Sequence, residues 1–361
     1  MTTPEPTETP VPRVPKQEQE DASPDIVEVA PGILRLQLPI DFTGLGHVNT
    51  YALEDERGFA LIDPGLPGEE SWKALRGRMD AAGIPLARVH TIVVTHSHPD
   101  HFGGAGLLAE ESGGSIVASD RFRTFFDPSD LDDRELEAAD DIDPAENPIP
   151  NIRIERPAPW GGSIVGPPPE ARERMLSHQA EFFRWFKPPR PAVRVADSEH
   201  VTLGRRDWVG LFTSGHTDDH LCLYDEEGGV LLSGDQVLPT ITPHISGLIP
   251  GDPLQMYMES LDRVSALPHV TTVLPAHGQP FHDLAGRAEE IKAHHGERLE
   301  QLLEICDTAG WANIIDLSHE LFAPRSWGSM AEAETFAHME HLRLVGKVQR
   351  REEAGILLYH L

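Results

Sequence analysis

The sequence predicts an α/β protein built in four layers, an αββα sandwich in which two β-sheets pack face to face and helices cover both outer faces. Two strand-rich halves of the chain alternate with helical segments, which is the order that such a layered fold requires. Several short β-branched or Leu-rich segments end directly before a His or an Asp. This pattern indicates strands that deliver side chains from their ends into one cleft.

The first half of the chain alternates strands with two helices. Short apolar runs bounded by turn residues predict strands, and longer amphipathic stretches predict helices. The expected strands are 32–38, 48–53, 58–63, 89–94 and 115–118, and the expected helices are 71–82 and a segment that opens at the glycine-rich stretch 102–106.

An insertion is predicted at about 127–195. Residues 127–146 contain ten acidic residues and one arginine, and a Pro-rich stretch follows at 157–169. An amphipathic helix is expected at 171–187, and its aromatic residues either pack against the core or form a lid that lines a substrate pocket. These aromatic residues are Phe182, Phe183, Trp185 and Phe186.

The second half begins with strands and a helix, as the first does, and ends with mainly helical segments. Its expected strands are 208–213, 221–224, 230–233 and 271–274, with a helix at 254–267. Three helices and a hairpin follow, which is the order of a winged helix; the helices are 286–305, 314–322 and 331–345, and the hairpin strands are 347–351 and 356–359. The third helix carries three glutamates against Arg343 and would repel phosphates, so we expect it to pack against the preceding domain or another subunit.

Three regions are therefore expected. Residues 1–24 are rich in Pro, Thr and Glu and are predicted to be a disordered tail, because they contain too little apolar surface to offset the entropy of ordering. Residues 25–285 form the main domain with its insertion. Residues 286–361 form a winged-helix-like domain.

Composition limits the possible functions. The formal net charge of −29 disfavours nucleic acid as a partner, because a polyanionic protein repels the phosphate backbone. No apolar stretch reaches the roughly 20 residues that span a bilayer. The two cysteines, Cys222 and Cys306, are expected to be buried thiols of a reducing compartment. We expect a cytoplasmic protein without a membrane partner, and a homo-oligomer remains open.

Seven histidine and aspartate residues carry the chemistry. The motif His-x-His-x-Asp-His lies at 96–101 directly after an expected strand, and three more segments each deliver one residue from a strand end. Imidazole and carboxylate ligands suit zinc and related divalent ions, and seven ligands suit two ions that share a bridge. The candidate ligands are His96, His98, Asp100, His101, His216, Asp235 and His277.

This motif set resembles the metallo-β-lactamase superfamily over roughly residues 28–285, and it resembles most the glyoxalase II-like and β-lactamase-like endoribonuclease-like branch. The resemblance implies a metallo-β-lactamase sandwich in which His96, His98 and His216 hold one metal and Asp235 bridges to the other. Asp100, His101 and His277 would hold the second metal. Zinc is the expected metal, with iron or manganese compatible with the same ligands.

Other residues are assigned supporting roles. Asp63 follows a strand and is expected to hold a ligand histidine by a hydrogen bond. For His220 two roles remain equally open: it supports a metal ligand by a hydrogen bond, or it simply packs. His47 and Asn49 are expected to be structural. His244 lines the substrate pocket, packs, or is exposed, and His294 and His295 are expected to be solvated on their helix.

The resemblance implies a hydrolase in which a metal-bridged hydroxide attacks its substrate while Asp100 orients the nucleophile and shuttles its proton; Asp100 and Asp235 are the catalytic carboxylates. The first hypothesis is a small-molecule thioester, lactone or other ester as substrate. The alternatives are a single-strand endoribonuclease and a non-hydrolytic, mononuclear iron sulfur dioxygenase.

Overall fold

Two β-sheets form the centre of the computed structural model, which describes residues 16–42, 44–124, 155–165 and 184–361. The first sheet contains, in hydrogen-bonded order, β1 (Val27–Ala30), β2 (Ile33–Phe42), β3 (Leu45–Glu54), β4 (Phe59–Ile62), β5 (Val89–Val93), β6 (Ser115–Ser119) and β9 (Val193–Val195). The second contains β10 (His200–Leu203), β11 (Arg206–Phe212), β12 (Leu221–Asp225), β13 (Val230–Gly234) and β14 (Thr272–Pro275).

The two sheets share one apolar core. Inward-facing side chains of the first sheet, such as Leu53 and Ile62, pack in one cluster with those of the second, such as Trp208, Leu223 and Leu232. Side chains alternate between the faces of a strand, so each sheet also presents an apolar outer face that must be covered.

Helices cover both outer faces. Over the first sheet lie α1 (Glu69–Ala81), α2 (Pro99–Phe102) and α3 (Ala105–Ser112), and over the second lie α4 (Pro253–Ser265) and α5 (Leu284–Ala309). Leu75 and Met79, one helical turn apart on α1, face the first sheet, and Tyr257 and Leu261 of α4 face the second. The prediction of an α/β sandwich with this layering is confirmed.

Parallel strand pairs bring several strand ends to one edge. β4 pairs in parallel with β5, and β13 pairs in parallel with β14. The residues that follow these four strands therefore emerge at the same edge of their sheets, which is where ligand sites form in open sheets. Asp63, Thr95, Asp235 and Ala276 lie just beyond these ends.

The C-terminal elements form a second, smaller core. After α5 come β15 (Ala312–Asn313), α6 (Ile314–Leu321), α7 (Ser329–Leu344), β16 (Gln349–Glu353) and β17 (Ile356–His360). Their three strands form a sheet in the order β15-β17-β16. Leu302, Leu317, Met339 and Tyr359 meet in its core, and Ala337 of α7 also joins the apolar layer of the main domain.

The expected disordered tail over residues 1–24 is wrong for residues 16–24. Gln17–Gln19 forms a 3₁₀ turn, and Glu18 is buried because its carboxylate accepts hydrogen bonds from the backbone N–H groups of Thr240 (2.7 Å) and Ile241 (3.1 Å). Composition alone could not show that this carboxylate finds a backbone donor, the N–H of Thr240, 222 residues further along the chain. Residues 1–15 lie outside the described residues.

Parts of the predicted insertion at about 127–195 belong to the fold. β9 pairs in parallel with β6 and extends the first sheet. A hairpin of β7 (Glu155–Pro157) and β8 (Ser163–Val165) carries Trp160 between its strands, and that ring packs against Phe336 of α7 at a centroid distance of 5.3 Å. The sequence suggested an appendage because short edge strands rich in Pro and Gly have a weak periodic signal.

No helix among the described residues is long and apolar enough to cross a membrane.

Candidate metal centre

Seven side chains converge at the shared edge of the two sheets. His96 and His98 lie in the loop after β5, and Asp100 and His101 lie on the short helix α2 that begins at Pro99. The other three follow strands of the second sheet: His216 lies in the loop after β11, Asp235 after β13 and His277 after β14. The structure thus brings together all seven candidate ligands from four separate segments of the chain, in two groups.

The first group contains His96, His98, His216 and Asp235, with one ligand atom of each lying within 4.8 Å of the others. Nδ1 of His98 lies 3.0 Å from Nε2 of His96 and 3.0 Å from Nε2 of His216. A neutral imidazole carries only one N–H, so hydrogen bonds among the rings cannot satisfy all three converging ring nitrogens. A cation between them could bind all three lone pairs.

The second group contains Asp100, His101 and His277. Oδ2 of Asp100 lies 3.5 Å from Nε2 of both histidines. The two histidine Nε2 atoms are buried and have no hydrogen-bond partner among the described residues. Buried polar atoms without a partner are costly, and a bound cation is the partner that their convergence fits.

The carboxylate of Asp235 lies between the two groups. Its Oδ2 is 3.5 Å from Nε2 of His216 and 3.6 Å from Nε2 of His101, while its Oδ1 is 3.3 Å from Nε2 of His277. This carboxylate therefore reaches ligand atoms of both groups with its two oxygens. One residue in this position links the groups into a single centre.

Hydrogen bonds to the other ring nitrogen orient three of the histidines. Nδ1 of His101 donates to Oδ2 of Asp63 (2.9 Å), and Nδ1 of His277 donates to the carbonyl of His47 (2.6 Å). Nδ1 of His216 donates to the carbonyl of His244 (2.7 Å). With the proton on Nδ1, each Nε2 presents its lone pair to the centre, which is the tautomer that a metal requires.

Asp63 has a left-handed backbone (φ 53°) and uses both carboxylate oxygens. Besides His101, it accepts hydrogen bonds from the backbone N–H of Thr95 (2.9 Å) and from its hydroxyl (2.7 Å). The same hydroxyl lies 3.0 Å from Nδ1 of His96. Asp63 therefore holds one histidine of each group in place, either directly or through Thr95.

His47 and Asn49 clamp the loop that carries His277. Nε2 of His47 accepts a hydrogen bond from the backbone N–H of Gly278 (3.0 Å). The amide of Asn49 donates to the carbonyls of Pro275 (2.8 Å) and Gly278 (2.9 Å). The segment around His277 is thus fixed on both sides by strand β3.

The architecture and the ligand set together have known counterparts. Residues 43–277 match the family model of the metallo-beta-lactamase superfamily. The chain belongs to this superfamily. The match covers the whole of the region that supplies the seven ligands, and the predicted family is confirmed.

Solved structures show a similar fold along nearly the whole chain. A metallo-beta-lactamase family protein from Thermus thermophilus is 30% identical, with a TM-score of 0.72 over 92% of this chain and 99% of that one. A beta-lactamase domain protein from Burkholderia ambifaria is 28% identical, with a TM-score of 0.72 over 95% of this chain and 96% of that one.

A curated relative points to the same reaction class. A probable metallo-hydrolase from Bacillus subtilis is 23% identical over 282 residues, which is 76% of this chain and 80% of that protein. With the family membership, this confirms the prediction that the chain is an enzyme of the hydrolase class within the metallo-beta-lactamase superfamily.

The protonation states of four ligands in this centre suit metal binding. Burial lowers the pKa of His96 and lowers that of His98 to about 3, so both imidazoles are neutral. Burial alone would raise the pKa of Asp100 and Asp235, but the neighbouring histidines outweigh it and lower both, so both carboxylates are ionised. Neutral imidazoles and ionised carboxylates are the ligand forms of divalent cations. Burial alone would lower the pKa of His101 and His277, but the neighbouring carboxylates outweigh it and raise both, so a cation in the second group would displace the Nε2 protons. With that exchange, the donor set fits two such ions.

His220 supports the ligand Asp235 by a hydrogen bond to its backbone. It is fully buried, and its Nε2 accepts a hydrogen bond from the backbone N–H of Asp235 (3.0 Å), while Nδ1 bonds to Oγ1 of Thr213 (2.7 Å). Of the two roles left open by the sequence, this geometry matches the support of a metal ligand by a hydrogen bond.

Four aromatic residues of the expected helix at 171–187 were predicted to line the substrate pocket. Phe186 is 1% exposed and packs in the core, with its ring 6.3 Å from that of Phe102, so its assignment to the substrate pocket is wrong. Trp185 is partly buried beside Arg184, on the segment that packs against α3. Phe182 and Phe183 lie outside the described residues. An aromatic run at helical spacing did not distinguish core from pocket.

The side chain of His244 packs, which is one of the roles left open, whereas the expectation that His295 is solvated is wrong. His244 contacts the metal centre through its backbone carbonyl, and its imidazole pairs instead with Glu334 of α7 at 3.2 Å. His295 is fully buried rather than solvated, because its Nδ1 lies 3.1 Å from Nε2 of His338 on α7. His294 is partly buried and accepts a hydrogen bond from Arg298.

The sequence reasoning missed Asp219. It is buried, and its Oδ1 accepts a hydrogen bond from the hydroxyl of Ser97 (3.0 Å), which ties the His96–His98 loop to the loop of His216. Burial raises the pKa of Asp219 to about 6. Its place directly before His220 was the available signal, but nothing in the sequence shows that the two loops touch.

Proposed function

We propose that the protein is a binuclear, metal-dependent hydrolase of a small-molecule thioester, lactone or other ester, with two zinc ions as the resident metals. The observation that carries this proposal is the position of Asp235, whose two oxygens reach ligand atoms of both groups. Iron or manganese is compatible with the same nitrogen and oxygen ligands.

The ligand residues have distinct roles. Two divalent cations, when bound, supply Lewis-acid polarisation of a carbonyl oxygen and lower the pKa of water. Asp235 holds the two ligand groups in a fixed relation, and Asp100 orients the attacking water and accepts its proton. His98 is partly exposed whereas the other six ligands are buried, so the reacting end of a substrate approaches past His98.

The choice of a small, non-polyanionic substrate is supported by charge. The chain has a formal net charge of −29, and such a field repels a nucleic-acid backbone. Two buried free thiols, Cys222 and Cys306, support a reducing compartment such as the cytoplasm.

We also propose that residues 286–361 form a winged-helix-like unit that packs rather than binds nucleic acid. The order of α5, β15, α6, α7, β16 and β17, with the sheet order β15-β17-β16, supports this assignment. α7 is the helix that would enter a groove in a DNA-binding winged helix. Here it buries residues on much of its surface, among them Ala333, Ala337 and Met339.

Elemental analysis of the purified protein, combined with assays on a thioester, a lactone and a single-stranded RNA, tests the proposal. About two ions per chain and turnover of an ester-type substrate are expected. Two ions with cleavage of RNA alone would show that the net charge is a poor guide to the substrate. One iron per chain without hydrolysis would overturn the binuclear hydrolase.

The variant Asp235→Asn tests the bridging role directly. It keeps the shape of the side chain and removes its charge, so we expect fewer than two ions per chain. Activity should fall at least about a hundredfold, which is the upper end of the range for residues that only hydrogen-bond a metal ligand. Asp207→Asn is the matched control, because Asp207 is an exposed aspartate of β11. Full metal content and activity in Asp235→Asn would contradict the assignment.

A further inference from the structure

The long loop between β13 and α4 lies between the metal centre and the C-terminal helix α7. It begins at the ligand Asp235 and ends at Asp252, which caps α4. Its residue His244 presents the carbonyl that accepts the Nδ1 hydrogen of His216. Since the loop contains no helix or strand over this stretch, its shape depends on the contacts that hold it.

α7 holds this loop at several points along one face. The backbone N–H of Gly247 donates to the carbonyl of Ala333 (3.0 Å), and a Cβ at Gly247 would lie 2.6 Å from the ring of Phe336. Further along the helix, His341 bonds to the carboxylate of Asp252 (2.9 Å). The loop therefore lies directly on the helix, and a side chain at position 247 would separate them.

Glu334 contacts the loop at His244, the residue whose carbonyl bonds to His216. It is partly buried on α7, and its Oε2 lies 3.2 Å from Nδ1 of His244, with Arg298 of α5 at 3.7 Å from Oε1. Burial alone would raise the pKa of this carboxyl, but the hydrogen bond from His244 and the nearby basic side chains of His338 and Arg298 lower it to about 2. The contact is thus a charge-assisted hydrogen bond, which is stronger than a neutral one.

His244 therefore makes hydrogen bonds with both its side chain and its backbone carbonyl. Its imidazole is bound to Glu334, and its carbonyl is bound to His216, whose Nε2 faces His98 and Asp235. Fixing the side chain of one residue restricts its backbone torsions, and these set the direction of its carbonyl. The preceding residue is Pro243, whose ring fixes its own φ and further narrows the possible loop shapes.

We propose that Glu334 is a positioning residue for the metal ligand His216, acting through His244, so that helix α7 sets the geometry of the first ligand group. This inference rests on the proposed function, because it takes His216 as a metal ligand. It gives the C-terminal region a role in the metal centre beyond its own packing.

Stepwise zinc affinities, measured by competition with a chromophoric chelator, test the inference. In Glu334→Ala we expect the affinity for one of the two ions to fall about threefold to tenfold, somewhat less than the roughly 10- to 100-fold typical of groups that bond a ligand directly. The affinity for the other ion should stay at the wild-type value. Glu334→Gln keeps an oxygen that can accept from His244 and should recover most of the loss.

Glu340→Ala is the matched control. Glu340 lies on the same helix and accepts hydrogen bonds from Arg343 and Tyr359 within the C-terminal region. Removing it disturbs α7 without touching His244, so both zinc affinities should be unchanged. An equal loss of zinc affinity in Glu340→Ala would show that the effect reports general damage to the helix and would overturn the inference.

A double-mutant cycle with His244→Ala identifies the route. His244→Ala keeps the backbone carbonyl and removes the imidazole, so it should weaken the same zinc ion, and adding Glu334→Ala should cause little further loss. Additive losses would overturn the route through His244. If Glu334→Ala does not fold, His244→Ala and Glu334→Gln alone decide the matter, and wild-type affinity in His244→Ala overturns the inference.

The two proposals fail in different ways. A wild-type protein that binds a single ion contradicts the binuclear centre, and the inference then depends on whether Glu334→Ala weakens that ion. A wild-type protein that binds two ions with affinities unchanged in Glu334→Ala leaves the binuclear centre intact and overturns the positioning role.

Discussion

The backbone N–H of Asp235 donates a hydrogen bond of 3.0 Å to Nε2 of His220. A backbone amide can only donate, so Nε2 must be unprotonated and the ring proton must be on Nδ1, which bonds to Oγ1 of Thr213. Burial lowers the pKa of His220 well below its usual value, in agreement with a neutral ring. His220 therefore fixes the backbone of the residue that links the two ligand groups.

Replacing His220 by alanine should weaken both stability and metal binding. The Asp235 N–H would lose its acceptor in a buried site, which costs about 1–3 kcal/mol in the free energy of unfolding. Zinc affinity should fall about 10- to 100-fold, because Asp235 loses its support. Urea unfolding of the metal-free protein and chelator competition measure the two effects. His200→Ala, at an exposed histidine, should change neither, and wild-type zinc affinity in His220→Ala would contradict the supporting role.

Asp63→Asn should weaken the second ligand group in particular. Asparagine tolerates the left-handed backbone of this position, so the substitution changes mainly the chemistry. Its amide nitrogen must face a donor, either the backbone N–H of Thr95, which bonds to Oδ1, or the Thr95 hydroxyl and Nδ1 of His101, which share Oδ2. At least one hydrogen bond is therefore lost. We expect zinc affinity to fall about 10- to 100-fold, measured by chelator competition. Asp207→Asn again serves as the control, and an unchanged affinity for both ions in Asp63→Asn would refute this account.

The sequence predicted those parts of the molecule whose signals are local. Strands such as β5 and β13 are short, apolar and followed by chemically distinctive residues, and parallel pairing then brings Asp63, Thr95 and Asp235 to one edge. The ligand set was therefore accessible from residue types and their order. The hydrogen bond from His101 to Asp63 follows from the same logic, because both residues come shortly after parallel strands.

Contacts between distant segments were not accessible in this way. Glu18 reaches donors at Thr240, and His295 meets His338, across separations of 222 and 43 residues. Nothing in a polar N-terminal stretch or a charged helix distinguishes a glutamate or histidine that finds a buried partner from one that stays in solvent. Both contacts can be tested by substitution.

Glu18→Ala should destabilise the protein although Glu18 lies near the start of the chain. Its carboxylate accepts from the N–H groups of Thr240 and Ile241 and from the Thr240 hydroxyl, so its loss leaves backbone donors without their partner. We expect the free energy of unfolding to fall by about 1–3 kcal/mol. The exposed neighbour Gln19, changed to alanine, should cost less than about 0.5 kcal/mol. Equal urea midpoints for the two variants would show that residues 16–20 contribute nothing through Glu18.

The buried pair of His295 and His338 should make stability depend on pH. Nδ1 of His338 donates to the carbonyl of Glu334, which leaves its Nε2 to accept from His295. Burial lowers the pKa of His295 to about 3 and that of His338 to about 4. The unfolded chain binds protons at these residues below about pH 6.5 and the folded chain does not, so their stabilisation is complete above that pH and is lost as the pH falls towards about 4.

Each neutral histidine of this pair should lower the free energy of unfolding by about 1.4 kcal/mol per pH unit within that window. The double variant His295→Phe/His338→Phe replaces both partners by rings of similar shape and removes both titrations. Urea unfolding at about pH 7, 6 and 5, with a chelator present, gives the slope for each protein. Because the metal ligands titrate equally in both, the difference between the slopes isolates the pair. The wild type should lose stability more steeply by about 2–3 kcal/mol per pH unit, and parallel slopes would show that the pair is protonated in the folded protein.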